Sequence, residues 1–410
     1  MPVWRSMSAK PMIKIVTEPP STGLTYTTCS AINGTVDLCA HEDLTLKDVR
    51  ISLIGCGRRS LEVGRNGSRS SDEWIFLSLH MPIDGQALET CCNVPARQQR
   101  PIPFHFRVPR QLPTGTCNHT KIAPCLQDQH LCLPPTICSE GADAMCPDLI
   151  SIGYYIEVVI ETDTTVTPSR SILPQDHRFR ERLEVTILPT FPEEAPLDLE
   201  SHSTTFMPRA TLSLKRHILG RTLGHVEANA YQPNAIMLKA NGGAPSTSSV
   251  HIGLAFSPHS ETVSIPHVER VCGDLVSNTY FGPRVLHEWP QRLPEAQHTI
   301  DPLLNYKVTT PIINYAPGEL NWTEGSVLMA VSRTCYRTSL EIPFGVHHVR
   351  NKRFMPTFHC CLFSRTYTLV LKIAFSGGQS IRVTVPLQVG VEDSMTQESL
   401  DPQGARPPDY

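Results

Sequence analysis

Apolar and polar residues alternate with a period of two over many short stretches of this chain. The clearest early case is 102–108, whose apolar positions are Ile102, Phe104, Phe106 and Val108. This period predicts a β-strand with one buried and one solvated face. Because proline has no amide hydrogen to give to a sheet ladder, the prolines around this strand place it at a sheet edge or lie at strand ends.

The same pattern recurs along the whole sequence. Strands are predicted around 12–16, 32–38, 49–55, 74–79, 152–160, 183–187, 212–214, 223–228 and 250–256. Near the end, one apolar phase over 361–375 and another over 381–389 flank Gly377-Gly378, which predicts a β-hairpin. The 24 glycines and 36 prolines suit many strands joined by turns, so we expect an all-β fold.

Length and patterning indicate two domains. A chain of 410 residues, 40% of them hydrophobic, can build two large β-sandwich cores. Residues 188–201 are rich in proline and acid and have no periodicity, which predicts a stiff solvated linker. We therefore expect a first domain at 1–190, a linker at 191–203, a second domain at 204–391 and a disordered tail at 392–410.

Charge and motif content exclude several classes of function. A net charge of −3 with 18% charged residues gives no strong field over the whole surface to attract nucleic acid or an anionic membrane. The first eight residues lack a signal-peptide core, and no run reaches the ~18 apolar residues of a membrane span. No enzyme signature is present, so we expect neither catalysis nor a cofactor. The 14 cysteines are interpreted as free thiols in a reducing compartment, and the protein as cytoplasmic.

The segment 114–148 concentrates soft potential metal ligands, namely Cys117, His119, Cys125, His130, Cys132, Cys138 and Cys146. Four such ligands could hold zinc, and paired thiols could form disulfides in a secreted protein. Successive cysteines are separated by five to seven intervening residues and include no C-x-x-C pair. We therefore expect an ordinary cysteine-rich loop and no metal, with zinc and disulfides as the alternatives.

Three segments together resemble the arrestin-like (alpha-arrestin) family of filamentous fungi. The strand at 102–108 ends in V-P-x-x-L-P at 108–113, and an I-x-Y-x-I-x-V strand follows at 152–158. The third segment, T-F-H-C-C-L-F-S-R-T-Y-T-L, occupies 357–369. The resemblance covers about residues 12–390. It implies two tandem arrestin-like, immunoglobulin-like β-sandwiches, and it implies that an early strand ends at Gly55.

The chain also carries a PPxY motif at Pro407-Pro408-Asp409-Tyr410. Two prolines pre-set a polyproline II turn for a WW domain, and the tyrosine fills a second pocket. With the family resemblance, Pro407, Pro408 and Tyr410 imply a trafficking adaptor. Such an adaptor binds cytoplasmic tails of a plasma-membrane transporter or receptor, recruits a HECT-type ubiquitin ligase and associates peripherally with plasma membrane or endosomes. The alternative is a retromer-type or signalling scaffold without a ligase.

Three further sites are expectations from local sequence. Residues 57–72 are interpreted as a basic serine-rich loop, in which Ser60, Ser68 and Ser70 are candidate phosphosites beside arginines. Arg350, Lys352 and Arg353 form a candidate contact for acidic lipid or phosphate. Arg365 falls on the apolar phase of its strand, so either a bulge turns it outwards or it is buried against a carboxylate between the domains.

Overall fold

The computed structural model describes most of the chain. Described residues are 11–63, 68–82, 93–117, 124–137, 145–147, 149–162, 178–190, 208–216, 220–282, 285–286, 304–327, 333–346 and 354–392, of which 61–63, 68–70, 124–125, 326–327 and 333 are described by their backbone alone. Strands account for 64% of these residues, and almost all pairings are antiparallel, which confirms the all-β prediction. Within this part of the chain, no helix has the length and apolar character needed to cross a bilayer.

The chain separates into two compact units. The first comprises Met1–Ala142 with Cys146–Pro189, and the second comprises Asp143–Met145 with Thr190–Tyr410. The predicted linker at 191–203 lies outside the described residues. So does the predicted disordered tail, apart from Glu392, whose backbone amide donates to Leu238 at 2.9 Å.

The described residues of the first unit form eight strands, a short 3₁₀ helix and one α-helix. The strands are β1 (Met12–Thr17), β2 (Ala31–Cys39), β3 (Leu44–Val63), β4 (Ser68–His80), β5 (Asn93–Val94), β6 (Gln99–Arg107), β7 (Ile150–Thr162) and β8 (Arg178–Val185). The 3₁₀ helix is Thr114–Thr116, and helix α1 is Pro124–Leu131. One sheet has the order β1-β2-β6, and the other has the order β4-β3-β7-β8 with β5 beside one end of β3.

Strand β6 carries the alternating stretch of the sequence and lies at the edge of its sheet. Its apolar residues are buried and the residues between them are exposed, so the predicted one-sided strand is confirmed. Pro101 and Pro103 lie opposite Asp37 and Thr35 of β2. An edge position tolerates these prolines, because the unpaired side of the strand requires no amide donors.

Strand β3 is longer than the sequence indicated, and the prediction that it ends at Gly55 is wrong. It continues to Val63, and its register against β4 shifts between Gly55 and Cys56. At this bulge, Phe76 of β4 is the extra residue, because Gly55 lies opposite Leu77 and Cys56 opposite Ile75. A bulge re-aims the following side chains without ending the strand.

The described residues of the second unit form twelve strands. They are β9 (Arg209–Lys215), β10 (Thr222–Ala230), β11 (Ile236–Leu238), β12 (Thr247–Pro258), β13 (Val268–Phe281), β14 (Leu304–Tyr315), β15 (Thr323–Val327), β16 (Arg333–Gly345), β17 (Phe358–His359), β18 (Phe363–Phe375), β19 (Ser380–Leu387) and β20 (Val389–Val391). One sheet has the order β15-β16-β12-β10-β9. Another has the order β14-β13-β18-β17 with β19 also beside β18, and β11 pairs with β20 in parallel.

The predicted hairpin near the end of the sequence is confirmed as β18 and β19. Tyr367 lies opposite Leu387 and Ile373 opposite Ile381, and all four residues are buried. Gly377 and Gly378 have φ of +92° and +78°. Residues with a Cβ atom rarely adopt this left-handed region, so the Gly-Gly pair provides the tight turn.

Candidate functional sites in the two units

The predicted serine-rich loop at 57–72 is wrong, because the structure makes most of it an antiparallel strand pair. Ser60 of β3 lies opposite Ser71 of β4, and Ser68 and Ser70 lie opposite Val63 and Leu61. The backbone amide of Ser60 donates to Leu149 at 2.7 Å. Only residues 64–67 of this segment lie outside the described part. The candidate phosphosites therefore belong to a β-hairpin, whose two strands hold their backbones in register.

The arginines expected to receive a phosphate already have acidic partners across the hairpin. Arg58 Nε donates to Glu73 Oε2 at 3.1 Å, and Arg59 Nη2 donates to Asp72 Oδ2 at 3.0 Å. The Arg58–Glu73 pair is exposed on both sides, whereas Arg59 is only 14% exposed against 55% for Asp72. An exposed ion pair contributes only about 0–1 kcal/mol. A phosphate at Ser60 would compete with Glu73 for Arg58. Sequence reasoning missed these acids as partners, because pairing across β3 and β4 depends on the register.

Arg365 is fully buried, and the expectation that a bulge turns it outwards is wrong. Its position on β18 pairs in regular register with Thr279 on β13. Nε donates to Thr279 Oγ1 at 2.7 Å, and Nη2 donates to the carbonyl oxygen of Met145 at 2.9 Å. Thr279 Oγ1 donates to the same carbonyl at 3.0 Å. Met145 belongs to the second unit, so the guanidinium ties a short segment of chain to this sheet.

The neighbouring His359 and Cys360 do not form a thiol–base couple. Nδ1 of His359 is hydrogen-bonded to Ser364 Oγ at 2.5 Å, where β17 pairs with β18. Burial raises the pKa of the Cys360 thiol to about 11, so the thiol stays protonated at neutral pH. Ser364 and His359 are themselves buried, which denies this pair contact with a substrate.

The cysteine-rich segment brings two of its seven potential ligands together. Cys117 Sγ, directly after the 3₁₀ helix, is 3.6 Å from Nδ1 of His130 in the last turn of α1. Cys132 and Cys146 make sulfur contacts to backbone carbonyls. His119, Cys138 and the Cys125 side chain lie outside the described part. No disulfide links the ten cysteines whose side chains are described.

Each unit has an open cleft beside exposed strand edges. In the first unit, a cleft of about 540 Å³ lies where β1, β2 and β6 meet, and its lining includes Val16, Glu18, Asn33 and Phe104. In the second unit, a cleft of about 600 Å³ lies by β14, β15 and β16, lined in part by Tyr315, Leu320, Arg337 and Glu341. Both combine apolar and charged groups, as a surface for an extended peptide does.

Two predicted sites lie outside the described residues. These are the WW-binding residues Pro407, Pro408 and Tyr410 and the basic cluster Arg350, Lys352 and Arg353. Comparison with known proteins adds no assignment. No family model matches the chain, and no curated protein matches it. The case for a function therefore rests on the chain's own residues.

Proposed function

We propose that this chain is an arrestin-like trafficking adaptor of the cytoplasm that acts at plasma membrane or endosomes. Two tandem β-sandwich domains bind the cytoplasmic tail of a transporter or receptor. The PPxY motif recruits a HECT-type ubiquitin ligase, and the ligase modifies the bound cargo. The observation that carries this proposal is the PPxY motif on a chain that folds into two compact all-β units.

Motif chemistry supports the ligase part of the proposal. The rings of Pro407 and Pro408 slot between aromatic side chains of a WW domain at little entropic cost, and Tyr410 gives the peptide its direction. So short a peptide buries far less than the ~1,200 Å² of a stable complex. We therefore expect a dissociation constant of about 1 μM or weaker, which tandem WW domains would tighten by raising the effective concentration.

Exposed strand edges support the cargo part. Strands β1 and β6 both end their sheet, and the cleft of the first unit is lined by residues of both strands and of β2, which lies between them. In the second unit, β14 ends its sheet and exposes Tyr306 and Tyr315. An extended peptide can add to such an edge through main-chain hydrogen bonds, while side-chain pockets select its sequence.

The test compares matched tail variants in a WW-domain pull-down and in a cargo ubiquitination assay. Tyr410→Ala and Pro408→Ala should each lose ligase capture, since each removes one pocket contact. Asp409→Ala is the matched control, because the variable position of PPxY should leave capture near wild type. All variants should still bind cargo and unfold at the wild-type denaturant midpoint. Wild-type capture and ubiquitination by Tyr410→Ala would show that the motif is a coincidence.

The alternative function is a retromer-type or signalling scaffold with the same fold. It predicts cargo or membrane-coat binding that is independent of Tyr410. The same pull-down distinguishes the two functions, because a scaffold would retain its partners in the Tyr410→Ala variant and recruit no ligase in the wild type.

A further inference from the structure

We propose that Cys117 and His130 are two ligands of a zinc site that ties the 3₁₀ helix to helix α1 in the first unit. The site is independent of the adaptor function, and it departs from the expectation that the cysteine-rich segment binds no metal. Both side chains are buried, with exposed fractions of 3% and 1%.

The distance between the two donor atoms fits a shared tetrahedral ion. Cys117 Sγ and His130 Nδ1 are 3.6 Å apart. Bonds of about 2.3 Å to sulfur and about 2.05 Å to nitrogen, at a tetrahedral angle, place these two atoms about 3.6 Å apart. A linear two-coordinate ion would separate them by more than 4 Å with the same bond lengths. The distance therefore fits two donors of a tetrahedral ion and not of a linear one, and thiolate with imidazole is a donor pair that suits zinc.

Backbone contacts hold the two ligands in place before any metal binds. The amide of Leu112 donates to Leu131 at 2.7 Å, and Gln111 forms an isolated bridge with Cys132. These contacts close the segment that carries Cys117 and His130 into one loop. A preformed loop of this kind reduces the ordering that metal binding would otherwise require.

A local need for stabilisation points the same way. Helix α1 has eight residues, and isolated helices shorter than ~12–15 residues are marginal in water. A metal that joins its last turn to the preceding 3₁₀ helix would fix both elements. The remaining coordination positions would be filled by water or by further donors.

The test uses the full chain purified under reducing conditions, with Zn²⁺ and Co²⁺ as probes. Metal analysis should find about one zinc per chain. Co²⁺ substitution should give a thiolate charge-transfer band and the intense visible bands of a tetrahedral site. X-ray absorption should count at least one sulfur and one imidazole nitrogen around the metal. Removal of zinc by a chelator should lower the melting temperature.

Substitutions connect the metal to these two residues. Cys117→Ser and His130→Gln should each weaken zinc binding more than about 100-fold, since changes outside the ligand shell alone cost about 10–100-fold. Cys39→Ser is the matched control, a half-buried cysteine at the end of β2, and should keep the zinc. Retention of zinc in both ligand variants would overturn the proposal.

A simple thiol–imidazole hydrogen bond is the competing explanation for the short contact. It predicts no stoichiometric zinc and no Co²⁺ charge-transfer band in the wild-type chain, and that result would equally overturn the site. If the ligand variants fail to fold, the wild-type spectra and the ligand count by X-ray absorption still decide between the two.

Discussion

Two hairpins of this molecule carry an arginine on a strand, one exposed to water and the other buried. On β3 and β4 of the first unit, Arg58 is 53% exposed and pairs with Glu73 in water. On β18 of the second unit, Arg365 is wholly buried and bonds to a hydroxyl and a carbonyl. The exposed pair can separate at little cost, because water solvates both ions. Water cannot replace the partners of the buried guanidinium, so each of its hydrogen bonds is needed to offset its desolvation.

The contrast extends to the apolar residues around each arginine. Six apolar residues of β18 lie on the buried face, namely Phe363, Tyr367, Leu369, Leu371, Ile373 and Phe375, each at most 1% exposed. On β4 the apolar residues beyond the bulge are less protected, and Ile75 is 59% exposed. A strand can therefore show the same alternation in both units while its burial differs. Burial, and not alternation, determines what a polar substitution costs.

The largest expected effect comes from removing the buried guanidinium. Arg365→Ala should lower the free energy of unfolding by about 3 kcal/mol or more, because it empties a packed site and leaves the Thr279 hydroxyl and the Met145 carbonyl without this donor. The matched control Arg58→Ala should cost less than about 1 kcal/mol. Urea denaturation followed by circular dichroism measures both. Equal midpoints for the two variants would contradict the contrast between the hairpins.

A smaller difference in stability is expected between alanine substitutions of two glycines on the same strand, β3. A Cβ at Gly55 would meet Phe76 at 2.6 Å, Tyr154 at 2.9 Å and Leu77 at 3.0 Å. Because these neighbours are buried core residues, Gly55→Ala should cost about 1–3 kcal/mol. The three atoms nearest to a Cβ at Gly57 belong to the indole of Trp74, the end of a half-buried side chain whose rotation towards solvent would relieve the overlap. Gly57→Ala should lower the free energy of unfolding by less than about 1 kcal/mol. If urea denaturation shows a larger loss for Gly57→Ala than for Gly55→Ala, the bulge does not separate core from surface.

The smallest effect concerns pH and compares one thiol from each region. Cys360 has a pKa of about 11 in the fold against 9.0 ordinarily, because burial disfavours the thiolate. Between these values the unfolded chain has released the proton that the native chain keeps. The free energy of unfolding should therefore be unaffected below pH 9 and fall by up to about 2 kcal/mol as pH rises to 11.

Cys56 on β3 provides the comparison for this measurement. Burial also raises its pKa, with the nearby Glu73 charge adding to the effect, but the side chain lies by the exposed half of the hairpin. Cys360→Ala should flatten the alkaline decline in denaturation midpoint more than Cys56→Ala does. An alkaline decline that Cys360→Ala leaves unchanged would assign the effect to other groups, among them Tyr155, whose pKa burial raises to about 12.

Local sequence pattern determined most of the strands of this protein. Period-two alternation predicted β1, β2, β6, β7, β12, β18 and β19, and Gly377-Gly378 predicted the turn between the last two. The prolines of β6 also predicted its edge position. These features follow from chain chemistry over a few residues, because backbone geometry, side-chain direction and the absence of an amide hydrogen are local properties.

Pairing and burial were decided only by the tertiary structure. Alternation could not show that β3 continues past Gly55, because the residues that follow are Cys56, Gly57, Arg58 and Arg59, and their strand conformation depends on pairing with β4 and β7. It also could not choose between an exposed and a buried Arg365, or bring Cys117 to His130. These outcomes depend on which distant segment lies opposite, as Thr279 lies opposite Arg365 from 86 residues away. Such partners are set by the packing of whole sheets, which no window of local sequence contains.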